Sequence, residues 1–409
     1  MPKILRIINR FNLGGPTYNA AYLSKYMPSD FETMLIGGEK DKSEANSEFI
    51  ISSLGLEANV LPEMKREICI TKDVIAYRKL KKIIHDYKPD IVHTHASKAG
   101  ALGRWAAYNC GVPVIIHTFH GHVFDAYFGN TQANFYKLLE RKLAKISTKI
   151  IAISENQKQD LVYKYHICPD EKVEIIKLGF DLERFQQNID EKRIDFRTKY
   201  LIKDDEIAIA LTGRIVPVKN HMLFLKAIAQ LSKLSTRKLR FFIVGDGETR
   251  KKVEENAKSL NIDFVDFNTE ARPALLTFTS WIKDVDVVNA GVDIVALTSL
   301  NEGTPVSLIE AQASGKPIVS TNVGGVSNVV IENKTALLSE SNNVYQLTQN
   351  LLALIENDNL RKQMSNQGID FVMEKFHYSR LVSETADLYH YLLAEKKRSV
   401  APLMAIQKG

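Results

Sequence analysis

Cysteine is scarce in this 409-residue chain, and the scarcity excludes more than it suggests. The three cysteines, Cys69, Cys110 and Cys168, stand far apart with no Cys-x-x-Cys spacing. That argues against a disulfide framework or a thiolate zinc site and fits a reducing compartment. No apolar run approaches the roughly 20 residues that span a bilayer, and the opening MPKILRIINRF lacks a signal peptide's apolar core. The expected location is therefore cytoplasmic. Gly-x-Gly-x-x-Gly, a Walker lysine and His-Glu-x-x-His are all missing, which leaves a Rossmann dinucleotide site, a P-loop and a zinc-protease helix unsupported. No basic tract is interleaved with aromatics, so nucleic acid is not an expected partner.

The net charge of +6 is unevenly placed: the first 180 residues carry the whole surplus, and the remainder balances. A basic first half can meet an anionic membrane surface or a phosphorylated acceptor. Solvated lysines on ordinary helices give the same count.

Short apolar runs alternate with amphipathic stretches along the whole chain, the pattern of βαβ units around a parallel sheet. In the first half Ile4–Ile8, Met34–Ile36, Asp90–His95, Val114–Phe119, Lys149–Ile153 and Val173–Leu178 read as strands. Residues 179–203 break the pattern with Gly179 and a run of charge. A second series follows, with strands at Ile207–Leu211, Arg240–Val244, Asp293–Ser299 and Pro317–Ser320 and three closing helices. The fold class is α/β, two doubly wound Rossmann-like domains facing across a cleft, with notable motifs at carboxyl strand ends. The expected division is 1–180 with about 380–409, and 181–379.

One stretch organises the second half. Glu302-Gly303-Thr304-Pro305-Val306-Ser307-Leu308-Ile309-Glu310 follows a strand and opens a helix. Gly303 permits close backbone approach, and Pro305 suits a helix's first turn. The helix start offers free N–H groups to a phosphate, while Glu302 and Glu310 can accept hydroxyl hydrogen bonds on either side of it. Thr212-Gly213-Arg214 ends another strand, and with Lys219 it supplies two cations for a diphosphate or a surface pair around Pro217. Gly14-Gly15 forms a phosphate-facing turn or simply a tight one. His120 and His122 end a strand, where His120 could orient a phosphate or sugar hydroxyl. His93, His95 and His117, in neighbouring strands, read as packing or structural hydrogen-bond residues. Asp284-Val285-Asp286 matches a short metal-holding pattern but reads as a solvated helix face, and no metal site is expected. Gly324 and Gly325, between a strand and a helix, could present backbone donors, though their spacing slightly favours a plain turn.

These motifs together resemble the retaining GT-B glycosyltransferases of family four, the glycosyl transferases group 1. The resemblance rests on TGRIVPVKN (212–220), VGDG (244–247) and DIVALTSLNEGTPVSLIEAQASGKPIVSTNVGG (293–325). In the first half it rests on NLGGPTYNAAYLSKYM (12–27), DIVHTHASKAGALGRWAA (90–107) and VIIHTFHGHVF (114–124). It implies an acceptor-binding first domain and a donor-binding second one. Glu310 would hold the nucleotide's ribose, and Glu302 the transferred sugar. Amides from Gly303 to Val306 would contact that sugar, and those of Ser307 and Leu308 the diphosphate. Arg214 and Lys219, beside Gly213, would neutralise the leaving phosphate, Gly14 and Gly15 would approach the diphosphate, and His120 would sit beside the sugar. The family implies no metal or other cofactor. It also implies a nucleotide-diphosphate sugar donor, most simply a UDP-sugar, and a glycan or lipid-linked acceptor in bacterial surface-polysaccharide assembly. A sugar-nucleotide epimerase or hydrolase is the alternative. Two departures stand out: Lys177-Leu178-Gly179-Phe180-Asp181 replaces the usual Asn-Gly, and residues 266–281 exceed the usual short strand before the base-binding region near Ser280–Ile282.

Overall fold

The computed structural model describes residues 1–11, 15–39, 51–52, 54–65, 67, 69–121 and 130–406. The chain divides into two compact units, Met1–Phe180 with Phe376–Gly409, and Asp181–Lys375.

The first unit is built on seven parallel strands: β1 (Lys3–Arg10), β2 (Glu32–Gly38), β3 (Ala58–Val60), β4 (Ile91–His95), β5 (Val114–Thr118), β6 (Lys149–Ala152) and β7 (Val173–Ile175). Their order is β3-β2-β1-β4-β5-β6-β7. β4 and β5 are buried along their whole length, which is why they read as continuous apolar runs rather than alternating ones. The last helix, Tyr378–Ile406, belongs to this unit: Leu381, Tyr389 and Leu392 share a core with Ile4, Ile91 and Ile116. Gly179 explains the departure at 177–181. A Cβ there would stand 2.8 Å from Tyr378 Cα and 2.7 Å from Leu381 Cβ, so only glycine lets the chain pass under the returning helix. Phe180 seals the crossing, its N–H donating to Phe376 O and its carbonyl accepting from Tyr378 N.

The second unit repeats the plan with β8 (Glu206–Thr212), β9 (Lys238–Val244), β10 (Phe264–Asp266), β11 (Leu276–Ser280), β12 (Ile294–Leu297), β13 (Ile318–Thr321) and β14 (Ala336–Ser339). All pairs are parallel, in the order β10-β11-β9-β8-β12-β13-β14. The long stretch 266–281 is therefore not one strand. It holds the end of β10, a loop, and β11, which inserts between β10 and β9. The core of this sheet is Ile209, Leu211, Phe224, Phe241, Ile243 and their neighbours.

Two expectations are corrected. Residues 179–203 contain a helix, Ile189–Lys199, anchored by Phe196 and by ion pairs of Arg193 and Arg197 with Asp293. Asp284-Val285-Asp286 is a solvated face only in part: Asp284 is exposed, but Asp286 lies in the first turn of the helix Val285–Gly291 and accepts from Lys192 Nζ at 2.9 Å, both of those side chains largely buried. The cause is the missed helix, which packs against this one and brings the lysine.

Candidate active-site elements in each unit

In the second unit the loops after β8 and β9 are fastened together. Gly213 N donates to Val244 O at 2.9 Å, and Ile215 N to Asp246 O at 2.9 Å. A Cβ on Gly245 would stand 2.0 Å from Gly213 O, and one on Gly247 2.3 Å from Ile215 O. The glycines of VGDG thus let two backbones touch. Gly213 itself has φ +152°, a conformation that L side chains rarely adopt. β11 joins the same edge, Gly245 N donating to Ser280 O at 3.0 Å.

The loop after β12 is fastened in the same way to the loop after β13. Gly325 N donates to Glu302 O at 2.9 Å, and a Cβ on Gly325 would fall 1.6 Å from Gly303 O. The N–H of Gly325 is therefore committed to the motif's own backbone instead of being offered to a ligand. Gly303 faces open space on its other side. Beyond it, the helix Val306–Ala313 starts after Pro305 with no side chain capping it; the Leu308 N–H donates to Pro305 O at 3.0 Å, which leaves those of Val306 and Ser307 at the helix start. Leu308 is fully buried, leaving only its backbone to serve, whereas Thr304, Val306 and Ser307 are half-buried.

Charge is arranged differently from the sequence expectation. Lys219 closes a short turn, Pro217–Lys219, tied to the end of β12 by Thr298 Oγ1 donating to Lys219 O at 2.9 Å and Leu300 N to Val218 O at 2.7 Å. Its Nζ lies 2.6 Å from Glu302 Oε1, which also accepts from Ser299 Oγ at 2.5 Å. Arg214 is 67% exposed and pairs with Glu248 at 3.2 Å. Each cation thus already has an acidic partner. Ser299 and Glu248 were not anticipated, and nothing in their local sequence marks them.

Glu310 is half-buried on the helix flank. Burial pushes its carboxyl up to about 7, with nearby Arg184 opposing the shift and Asp286 adding to it. Among the described residues no three His, Cys, Asp or Glu side chains converge as metal ligands.

In the first unit Gly15 opens the helix Gly15–Lys25; Gly14 and His122 lie outside the described residues. His120 follows β5, half-buried, with its Nε2 3.0 Å from Nδ1 of the buried His95. Burial pulls the His120 imidazolium down to about 3, so the ring is neutral at pH 7. His93 and His117 make internal hydrogen bonds, to Thr118 and Thr94 respectively.

Comparison with known proteins agrees with this architecture. Residues 192–371 match the family model described as glycosyl transferases group 1, and residues 14–184 that described as glycosyltransferase family 4. The UDP-Gal:alpha-D-GlcNAc-diphosphoundecaprenol alpha-1,3-galactosyltransferase of Escherichia coli is 31% identical over 345 residues, covering 83% of this chain and 85% of that one. The capsular polysaccharide biosynthesis glycosyltransferase CapM of Staphylococcus aureus is 26% identical over 363 residues, covering 85% and 90%. Among solved structures, Anabaena Alr3699/HepE in complex with UDP superposes with a TM-score of 0.78 at 17% identity, over 95% of this chain and 100% of that one, a likeness of fold. The chain belongs to the glycosyl transferases group 1, and is a GT-B glycosyltransferase whose relatives work in bacterial surface-polysaccharide synthesis.

Proposed function

We propose that this enzyme moves a hexose-type sugar from a UDP-sugar to a lipid-linked diphosphate sugar, with retention at the anomeric carbon. The observation that carries the reading is the meeting of Lys219 and Glu302, 2.6 Å apart, beside the uncapped start of the helix Val306–Ala313. A cation, a hydroxyl acceptor and free backbone N–H groups are what a sugar diphosphate requires at one point. The E. coli galactosyltransferase, by its name, takes UDP-Gal to a diphosphoundecaprenol-linked sugar, which supports the donor and acceptor classes.

In this reading Glu310 accepts from the ribose hydroxyls and Glu302 from the sugar hydroxyls. The amides of Gly303 to Val306 line the sugar, and those of Ser307 and Leu308 hold the diphosphate, the Leu308 N–H exchanging its bond to Pro305 O for the ligand. Lys219 turns from Glu302 to the β-phosphate on donor binding, joined by Arg214; Gly213 keeps the approach open. Gly14 and Gly15 serve the diphosphate from the first unit, and His120 hydrogen-bonds the donor. The C1–O bond to phosphate breaks as the acceptor oxygen bonds C1 on the same face, and the acceptor proton passes to the departing phosphate oxygen. Two cationic side chains supply the charge a divalent ion would otherwise bring, so the transfer is metal-independent. A cytoplasmic enzyme resting on the inner membrane face suits such an acceptor and the basic first half. Acceptor-dependent release of UDP tests the reading.

A further inference from the structure

The positive surplus of the first 180 residues has a location. Three helices, Ile70–Tyr87, Ser97–Asn109 and Asn130–Ile146, hold eleven Lys and Arg against three Asp and Glu, more than the whole surplus of +6. They form one layer on one face of the first sheet. Ala76, Leu80, Ala106 and Ala107 pack with Leu5, Val92 and Ile115, and Ala144 packs on Ile150. The alternate strand positions Ile4, Ile91, Ile116 and Ile151 face the returning helix Tyr378–Ile406 on the other side. That helix is nearly balanced, with four basic and three acidic residues.

Polar bonds hold the layer together. Lys98 Nζ lies 2.5 Å from Asp73 Oδ1, Asn109 Nδ2 donates to the Tyr77 hydroxyl at 2.6 Å, and the buried Arg104 meets Glu140 at 2.6 Å. The two ion pairs neutralise two of the three acids and leave Asp86 as the layer's one exposed acid.

The outer side of the layer is apolar as well as basic. Val74, Ile75, Trp105, Tyr108, Phe135 and Leu138, two from each helix, are 43–63% exposed. On the last helix Phe135, Leu138, Lys142 and Lys145 follow one another at helical spacing and share one outward stripe. On the first, Ile75, Arg78 and Lys82 repeat that spacing. These four cations are exposed and outside every ion pair among the described residues.

Such a mixture suits the boundary between water and the headgroups of an anionic bilayer. Rings and aliphatic chains enter the headgroup region, while lysine stems lie along it with their ammonium groups at lipid phosphates. Two copies meeting through this face would set like charge against like. Between an acidic protein and a bilayer the proposed acceptor decides, because it is itself a membrane lipid. No helix among the described residues is long and apolar enough to cross a membrane, so the contact is peripheral. We infer that this three-helix layer is the face by which the enzyme lies on an anionic lipid bilayer. The choice of partner rests on the proposed lipid-linked acceptor.

The test is sedimentation of the full chain with vesicles of phosphatidylcholine mixed with phosphatidylglycerol, and it needs no substrate. Binding is expected, weakening as salt rises, with little on phosphatidylcholine alone. Lys142→Glu with Lys145→Glu is expected to lower partitioning about tenfold or more. The same charge change on the second unit, Lys226→Glu with Lys233→Glu on the helix His221–Leu234, is expected to lower it about twofold at most. Phe135→Ser with Leu138→Ser, which removes only apolar surface, is expected to cost about tenfold. All six positions are exposed, so melting should not move. In Trp281→Phe, where Trp105 is the sole indole, brominated lipid is expected to quench the emission. No vesicle binding, or binding that survives both substitutions on the helix Asn130–Ile146, overturns the inference. Capture by an acidic protein, or self-association, in place of vesicle binding also overturns it. Failure of the two readings is distinguishable. Binding through this face without transfer to a lipid-linked acceptor defeats the acceptor alone; transfer without such binding defeats the face alone.

Discussion

Lys219 Nζ stands 2.6 Å from Glu302 Oε1, across 83 residues of sequence, with 19% and 11% of the two side chains exposed. A pair this sheltered is costly to break from one side, because the survivor keeps a desolvated charge. Lys219→Met is expected to destabilise its unit by about 2 kcal/mol, read as a melting point lower by about 4–8 °C. Adding Glu302→Gln should recover most of that loss but none of the turnover, a coupling measured by a double-mutant cycle. Arg214→Ala should behave oppositely. Its pair with Glu248 is exposed and worth under about 1 kcal/mol, so melting barely moves while turnover falls about 10²–10³-fold. Normal turnover in Arg214→Ala would remove it from the mechanism.

Glu310 predicts a pH dependence. Its folded pKa, raised to about 7 by burial, makes the carboxylate a full acceptor only above that value. Affinity for a UDP-sugar, whose diphosphate does not titrate here, should strengthen as pH rises through 7 and weaken below it. Stability runs the other way. The folded protein holds a proton that the unfolded chain has lost above its ordinary carboxyl pKa, so this group's contribution declines as pH rises from about 4.5 toward 7. Calorimetric titration between about pH 5.5 and 8.5 checks the first point; Glu310→Gln should bind weakly with no such step. A flat profile in the unaltered enzyme would contradict the role of an ionised Glu310.

Two glycines one contact apart should both weaken donor binding on substitution but differ in stability. Gly325→Ala places a Cβ 1.6 Å from Gly303 O, so the loop carrying Glu302 must shift. Melting temperature, donor affinity and turnover should all drop. Gly303→Ala meets nothing within 4 Å, and its melting point should be kept while donor KM rises, because the new methyl stands where the sugar is proposed to lie. Unchanged KM in Gly303→Ala would put the sugar elsewhere.

How much of this was legible in the sequence depends on range. β1, β4, β5, β8, β9, β12 and β13 were readable because strands buried on both faces are continuous apolar runs. β3 and β10 were not, being three-residue edge strands with too little periodicity to register, and β11 and β14 were hidden beside loops. The helix Ile189–Lys199 escaped because its stripe is one aromatic, Phe196, set among charges. Lys219 and Glu302 were each visible, but their pairing, and that of Arg214 with Glu248, depends on the order in which strands assemble. Gly324 and Gly325 were left between ligand-facing donors and a plain turn, with the turn slightly ahead, because a sequence cannot tell a backbone offered to a ligand from one pressed against another loop.

Metal independence has its own test. Exhaustive chelation by EDTA should leave turnover unchanged, and added magnesium or manganese should not raise it more than about twofold. Asp286→Asn, which breaks the pair with Lys192, should lower the melting temperature without altering donor KM at about pH 8.5, where Glu310 is ionised with or without the Asp286 charge beside it. An absolute requirement for a divalent ion would mean that Arg214 and Lys219 do not suffice for the leaving phosphate.

The central claim is transfer from a UDP-sugar to a lipid-linked diphosphate sugar. Its most direct measurement is UDP release across a panel of UDP-, GDP- and ADP-hexoses, with and without a lipid-diphosphate-sugar acceptor, and NMR of the product's anomeric centre. UDP released only with acceptor, together with a product that keeps the donor's α configuration, is the predicted result. An altered sugar nucleotide formed without acceptor, or an inverted linkage, would contradict the account.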